Sequence, residues 1–117
     1  MNALEVRQNF IHSHGIVLQA LGRVGHALVG QPKDVRSHVL GGLDQIDWSR
    51  HNVRTWEGRA MIGGRIVKSF QNVILTSNYI KKACGIPLCL EEQISEDVFL
   101  NSRQAAGAIP VELSHAN

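Results

Sequence analysis

Glycine and proline interrupt the apolar pattern of this 117-residue chain at three places, and this limits the length of every structural element. The three interruptions are Gly30 with Pro32, Gly63 with Gly64, and Gly85 with Pro87. Glycine commonly ends a helix and proline prevents its continuation, whereas a glycine pair is typical of a tight hairpin turn. With 44% apolar residues, a fraction typical of folded proteins, the chain is predicted to form one globular domain of short elements.

Four segments have apolar residues at intervals of three and four, the spacing that places side chains on one face of a helix. The predicted helices cover residues 1–30, 32–46, 69–84 and 91–106. We therefore expect an all-α domain of about four helices over residues 1–107, followed by a tail over residues 108–117. In the first helix, Gly15 and Gly22 are seven positions apart and share one face, which indicates close approach of another backbone.

The third and fourth helices carry clear signals at their ends. Ser69 is well placed to cap the third helix, whose apolar stripe begins at Phe70. The fourth helix is predicted to turn Ile94 and Val98 toward the core, with Phe99 as a further candidate. Its acidic run, within residues 91–97, is expected to be a solvated helix face.

Between residues 47 and 68 the helical period disappears, so this segment is predicted to be an irregular insert between helices. The glycine pair between two apolar triplets predicts a short β-hairpin over residues 60–67. The insert also contains both tryptophans, Trp48 and Trp56. A tryptophan ring can stack on nucleobases, but at the base of a loop it more often anchors the loop in the core, and we favour this structural role.

The middle of the chain is cationic although the net charge is only +2. Residues 50–82 contain one acid, Glu57, and seven basic residues: Arg50, Arg54, Arg59, Arg65, Lys68, Lys81 and Lys82. Arginine and lysine neutralise phosphates and release their counterions, so these seven residues are the predicted DNA-binding residues. In the alternative interpretation, Arg50 and Arg54 pair with Asp47 and Glu57 and merely hold the insert together.

The stretch from Trp48 to Tyr79 has the most distinctive sequence, with Trp-Glu-Gly-Arg-Ala-Met, Gly-Gly-Arg-Ile-Val-Lys and Asn-Val-Ile-Leu-Thr-Ser-Asn-Tyr-Ile-Lys. A second such segment, Glu-Val-Arg-Gln-Asn-Phe-Ile-His-Ser-His-Gly-Ile, lies near the N-terminus. Together they resemble the C-terminal part of DndB-type proteins, which accompany bacterial DNA phosphorothioation and are related to DGQHR-domain proteins. The resemblance extends from Val6 to Leu100.

The resemblance implies a DNA-binding regulatory module of a DNA sulfur-modification system, with transcriptional control of the modification genes as its task. It does not imply that this chain inserts the sulfur. The Asp-Gly-Gln-His-Arg motif, which belongs to the N-terminal half of the family, is absent from this sequence. The chain is therefore similar to a fragment or a truncated member, and an N-terminal DGQHR-type domain is an expected partner.

A second hypothesis assigns the chain a role in protein interaction without direct DNA contact. The long, glycine-containing first helix would pair with a copy of itself or support the absent N-terminal domain. A salt-dependent DNA interaction would favour the first hypothesis, and salt-independent dimerisation would favour the second.

No group of residues in the sequence resembles a catalytic site, a metal site or a cofactor motif, so we expect neither enzymatic activity nor a cofactor. Cys84 and Cys89 lack the close pairing of zinc ligands and are expected to be buried, reduced thiols. No apolar run approaches the ~20 residues that span a bilayer, and the N-terminus lacks the pattern of a signal peptide. We therefore expect a cytoplasmic protein without a membrane contact.

Overall fold

A computed structural model describes residues 9–11 and 14–105, and the elements within residues 14–105 are five helices and one small hairpin. In chain order the elements are α1 (Gly15–Ala27), α2 (Lys33–Leu43), α3 (Val53–Trp56), β1 (Met61–Ile62), β2 (Arg65–Ile66), α4 (Phe70–Ala83) and α5 (Leu90–Ala105). The prediction of a mostly helical fold is confirmed. The additional helix, α3, is a single turn within the insert.

The core lies mainly between α1 and α4, which share the most extensive helix contact of the fold. α1 contributes the buried residues Ile16, Val17, Ala20 and Val24. Their spacing of one, three and four positions gives one continuous apolar face. α4 meets this face with Val73 and Ile80, and the thiol side chain of Cys84 just beyond the helix completes the contact.

The first helix is shorter than predicted. Phe10 pairs with Ser49 in an isolated antiparallel bridge, and the Ile11 N–H donates to the Trp48 carbonyl at 2.9 Å. His14 has extended backbone angles, so α1 begins only at Gly15. This pairing buries Ile11 completely against the insert, which explains why the chain leaves the helical path. The prediction of a continuous helix over residues 1–30 is thus wrong at residues 10, 11 and 14. Residues 1–8, which the prediction also covers, lie outside the described residues.

The predicted start of α4 is confirmed. The Ser69 hydroxyl accepts a hydrogen bond from the Asn72 N–H at 3.2 Å, which satisfies one of the free donors at the helix N-terminus. The expectation for Phe70 was wrong, since this side chain is 68% exposed. It lies in the first turn of α4, where the Arg23 guanidinium lies 5.8 Å from the centre of its ring.

The predicted hairpin is confirmed within the insert. The paired residues are Met61 with Ile66 and Ile62 with Arg65. Gly63 and Gly64 form the turn with φ angles of 62° and 80°, values that side chains with a Cβ rarely adopt. The Glu57 carboxylate accepts both turn N–H groups, at 2.5 Å from Gly63 and 3.2 Å from Gly64. The carboxylate of Glu57, the residue that follows α3, thus holds the hairpin turn, and the Gly58 N–H donates to the Met61 carbonyl at 2.6 Å.

α5 faces the core with the side opposite to the predicted one. Ile94 and Val98 were expected inside but are 55% and 61% exposed. Glu92 and Glu96 were expected in solvent but are 4% and 0% exposed. The reason is that the surface under α5 carries cationic side chains, and a buried charge is tolerated only beside a partner of opposite sign.

α2 packs more lightly than α1 and α4. It ends at Leu43, slightly before the predicted end at residue 46, and Val39 is its buried residue. Gly42 allows this approach, because a Cβ there would lie 3.0 Å from the Cα atom of Cys84. Every helix within residues 9–11 and 14–105 is too short or too polar to cross a membrane. The predicted tail, 108–117, lies outside the described part of the chain.

Candidate functional site

Trp56 holds the insert on the helices. Its ring is fully buried, and its indole N–H donates to the Asp47 carbonyl at 2.8 Å. The ring of Trp48 stacks on it with centroids 5.5 Å apart, and Tyr79 of α4 meets it edge-on at 5.2 Å. Because both faces and the polar edge of Trp56 are occupied or buried, this ring cannot stack on a nucleobase without unfolding of the insert.

Arg59, one of the seven predicted DNA-binding residues, lies inside the protein. It is 3% exposed, and its guanidinium forms two parallel hydrogen bonds with the Glu96 carboxylate, at 2.6 and 2.9 Å. A third bond reaches the Leu75 carbonyl at 2.7 Å, and the ring of Phe99 lies 4.5 Å from the guanidinium carbon. This two-pronged geometry is the strongest form of an arginine–carboxylate pair. In this conformation Arg59 is closed to any external phosphate.

Two lysines from the end of α4 also face carboxylates of α5. The Lys81 ammonium lies 2.8 Å from Glu92 and is 7% exposed as a residue. The Lys82 ammonium lies 2.9 Å from Glu96, although 46% of its side chain remains exposed. Arg23 of α1 adds a second cation on Glu92 at 2.8 Å. We refer to these six residues, Arg23, Arg59, Lys81, Lys82, Glu92 and Glu96, as the ionic cluster.

The carboxylates of the ionic cluster stay ionised far below neutral pH. Burial alone would raise the pKa of Glu92, but hydrogen bonds from Lys81, the Cys89 N–H and Arg23 outweigh it and lower the pKa to about 2. Burial likewise opposes ionisation of Glu96, and the hydrogen bonds from Arg59 and Lys82 lower its pKa to about 2. With four cations and two carboxylates, the cluster carries a formal charge of +2.

The remaining predicted DNA-binding residues lie on the insert. Arg54, Arg65 and Lys68 are exposed, and Arg50 is half-buried. The alternative pairing of Arg54 with Asp47 or Glu57 is not seen among the described residues. The Glu57 carboxylate binds the hairpin turn instead, and the Asp47 carboxylate accepts the Ser49 N–H at 3.0 Å.

A cavity of about 550 Å³, which we call the insert groove, lies between the insert and the C-terminal half of α5. Its lining includes Val53, Arg54, Ile62, Phe99, Ser102 and Arg103. Two arginines thus share one concave, mainly apolar surface. Arg103 donates from its guanidinium to the Arg54 carbonyl, and its guanidinium carbon lies 5.7 Å from the centre of the Phe99 ring.

Arg103 was not among the predicted residues. It is 49 positions from Arg54 in sequence and sits in the last turn of an otherwise acidic helix. No local pattern identifies it, because only the packing of α5 brings it beside the insert. Asn72, in the first turn of α4, also reaches the insert: its side-chain amide donates to the carbonyls of Gly58 and Arg59 at 3.0 and 2.8 Å, which ties α4 to the insert.

The two cysteines differ in their surroundings. Cys84 is buried, and burial raises the pKa of its thiol. Cys89 is exposed, so the expectation that both thiols are buried was wrong for this residue. Both are free thiols, and the described part of the chain contains no group of three or more side chains arranged to hold a metal ion.

The model of a family described as "DndB: DNA-sulfur modification-associated" matches residues 1–87. No curated protein sequence and no solved structure gives a significant match to the chain. The matched range contains the insert and all four cations of the ionic cluster, and it ends before α5 begins at Leu90.

Proposed function

Because this chain belongs to the DndB family of DNA-sulfur modification-associated proteins, we propose that it binds duplex DNA as a regulatory module of the sulfur-modification system. Its task in this proposal is transcriptional control of the modification genes. The family membership supports involvement in DNA sulfur modification. DNA contact and regulation are the proposed steps beyond it.

The observation that carries the proposal is the set of exposed cations on the insert. Arg54, Arg65 and Lys68 extend from a short helix, a hairpin and the segment that follows it. The two acids of the insert accept backbone N–H groups: Glu57 those of Gly63 and Gly64, and Asp47 that of Ser49. These cations are therefore available to phosphates, and their number supports a salt-dependent interaction with DNA.

Rigidity of the insert adds to this support. The buried Trp56 and the hydrogen bonds of Glu57 fix the insert against α4 and against itself. Recognition residues are most often carried by irregular segments on a rigid scaffold, because the scaffold reduces the entropy lost on binding. The insert groove offers a further contact surface, in which Arg54 and Arg103 could each donate to a phosphate.

The test is the affinity of the purified chain for duplex DNA over a salt series. We expect binding that weakens steeply with salt, and a double variant Arg54→Ala/Arg65→Ala whose log–log salt slope is shallower by roughly 1 to 2. The matched control is Lys33→Ala/Arg36→Ala, which removes the same charge from the exposed surface of α2. Equal losses in the two double variants would assign the binding to net charge alone and refute a site on the insert.

Regulation requires a preference for particular DNA. We expect tighter binding to the promoter region of the modification genes than to unrelated DNA of equal length and composition. Footprinting of the bound fragment would locate the site. Equal affinity for both fragments would leave DNA binding intact but contradict the regulatory part of the proposal.

One observation favours the second function, a protein-interaction module that supports another domain or copy. Gly15 and Gly22 were predicted to permit close approach of another backbone, yet a Cβ at either position would meet nothing within 4 Å in this chain. Leu18, on the same side of α1, is 57% exposed. A second helix could therefore pack here, in a copy of the chain or in a DGQHR-type domain.

The corresponding test is sedimentation over a range of protein concentrations. Self-association through α1 predicts dimers that persist at high salt and are weakened by Leu18→Gln. The control is Leu40→Gln, which changes a leucine of similar exposure, 59%, on α2. A chain that stays monomeric at all concentrations would exclude self-association and leave only the partner domain as the occupant of this face.

A further inference from the structure

α5 is attached to the protein in an unusual way. Leu90, Ile94 and Val98, spaced four apart along one side, are 76%, 55% and 61% exposed. The side that faces the core carries Glu92 and Glu96, both almost completely buried. An amphipathic helix normally buries its apolar side, so α5 is held mainly by ionic hydrogen bonds, with Phe99 as a half-buried aromatic contact.

The surface beneath α5 is cationic. Arg59, Lys81 and Lys82 come from the insert and α4, and Arg23 comes from α1. All four lie in the part of the chain that matches the DndB family, whereas Glu92 and Glu96 lie beyond that match. Arg59 and Lys81, the two buried members of this group, require anions nearby, because a buried charge without a partner is strongly unfavourable.

We propose that α5 is a removable acidic strap over a second phosphate-binding site of this protein, formed by Arg23, Arg59, Lys81 and Lys82. In this conformation Glu92 and Glu96 occupy the positions that two DNA phosphates take when α5 moves away. The inference rests on the proposed function for its ligand, DNA, but it concerns cations other than those exposed on the insert.

The chemistry of the site fits this exchange. The guanidinium of Arg59 meets Glu96 through two parallel hydrogen bonds, a geometry that serves a phosphate equally well. Glu92 and Glu96 are about one helical turn apart, with Cβ atoms about 5–6 Å from each other, so they present two neighbouring negative charges on one side of α5. The ammonium groups of Lys81 and Lys82 act as point charges and accept either anion.

The exposed side of α5 makes its release easier. Movement of α5 away from α4 would separate few apolar contacts, since Leu90, Ile94 and Val98 already lie in water. The ion pairs of Glu92 and Glu96 are lost and replaced by phosphates, whereas the hydrogen bond from the Asn78 amide to the Glu92 carbonyl and the packing of Phe99 against Arg59 are lost without such a replacement. Lys82, with 46% of its side chain exposed, and Arg23, with 33%, are the cations that DNA can reach first.

The first test uses the full chain and two double variants of equal charge. Glu92→Gln/Glu96→Gln removes the two buried carboxylates, and the control Glu91→Gln/Asp97→Asn removes two exposed ones from the same helix. We expect the first variant to bind duplex DNA at least about tenfold more tightly than the control, with a log–log salt slope steeper by roughly 2 to 4 as the freed cations meet phosphates. Equal affinities in the two variants overturn the strap.

The same experiment separates this inference from the proposed function. If Arg54→Ala/Arg65→Ala has no effect on binding while Glu92→Gln/Glu96→Gln strengthens it, the strap stands and the insert surface does not bind DNA. If the first pair weakens binding and the second leaves it at the level of its control, the insert binds and the strap is wrong.

A second test needs no variant, so it also decides the matter if the buried pair of substitutions prevents folding. Backbone hydrogen exchange of the wild-type chain is followed residue by residue with and without excess duplex DNA. We expect the amides of α5 to exchange at least about fivefold faster with DNA while those of α4 keep their protection. Unchanged or slower exchange in α5 on addition of DNA overturns the proposal.

Discussion

α4 and α5 have similar lengths and pack against each other, yet they are held in the fold by different forces. α4 presents Val73 and Ile80 to the apolar face of α1, and this contact depends on burial from water. α5 presents Glu92 and Glu96 to four cations, and this contact depends on ionisation. Two neighbouring helices of one small domain should therefore respond differently to substitution, acid and salt.

The largest difference between the two helices is expected when Arg59, the buried arginine of the ionic cluster, is removed. In Arg59→Ala, Glu96 keeps Lys82 but loses the two-pronged partner that neutralises it inside the protein. Breaking a buried pair from one side typically lowers the free energy of unfolding by about 3–5 kcal/mol. Urea denaturation followed by circular dichroism measures this loss.

The matched substitution for Arg59→Ala is Arg54→Ala, which removes an exposed arginine from the same insert. Its effect on the free energy of unfolding should stay within about 0.5 kcal/mol. Similar losses for the two variants would mean that the ionic cluster contributes no more than surface charge, and α5 would then need another explanation for its orientation.

Acid should weaken the attachment of α5 before it affects the contact between α1 and α4. The pKa of Glu96 is lowered from 4.5 to about 2 in the folded protein, so its contribution to stability is complete above about pH 4.5 and is lost as the pH falls toward 2. A shift of this size corresponds to on the order of 3 kcal/mol. Glu92 behaves in the same direction, since its pKa is also lowered to about 2.

The acid effect can be measured as unfolding free energy between pH 5 and pH 2. The wild-type value should fall over this window, and Glu96→Gln should start lower but fall less, because the group that titrates is gone. Hydrogen exchange should show α5 losing protection at a higher pH than α4 does. Parallel pH curves for wild type and variant would show that Glu96 is not the group responsible.

The different forces also explain which parts of the fold the sequence could predict. The limits of α4 and the hairpin follow from local signals: Ser69 as cap, and a glycine pair whose positive φ angles suit a tight turn. The orientation of α5 does not follow from local signals, because its apolar stripe alone predicts that Ile94 and Val98 face inward. What reverses it is Arg59, 37 residues from Glu96 in sequence, and no periodicity contains that information.

The candidate site likewise has features that local sequence predicts and features that depend on packing. The insert cations, such as Arg54 and Arg65, could be identified from local composition, since they crowd a stretch with a single acid. The separation of exposed cations from buried ones could not, because it depends on where the carboxylates of α5 lie. Arg103 joins the insert groove for the same non-local reason. In this chain, the clustering of basic residues in the sequence identifies a candidate DNA-binding region, but the packing determines which of these residues are exposed to a ligand.

The smallest expected effect gives the sharpest test of how α5 is oriented. Ile94→Gln/Val98→Gln replaces two exposed aliphatic side chains of α5 by polar ones, and the free energy of unfolding should change by at most about 0.5 kcal/mol. The comparison is Ile80→Ala in α4, where the loss of a buried side chain should cost about 2–5 kcal/mol. If the α5 variant instead lost as much as the α4 variant, the apolar side of α5 would have to be covered in solution. The acidic side would then be a solvated face, and the four cations would need a different anion.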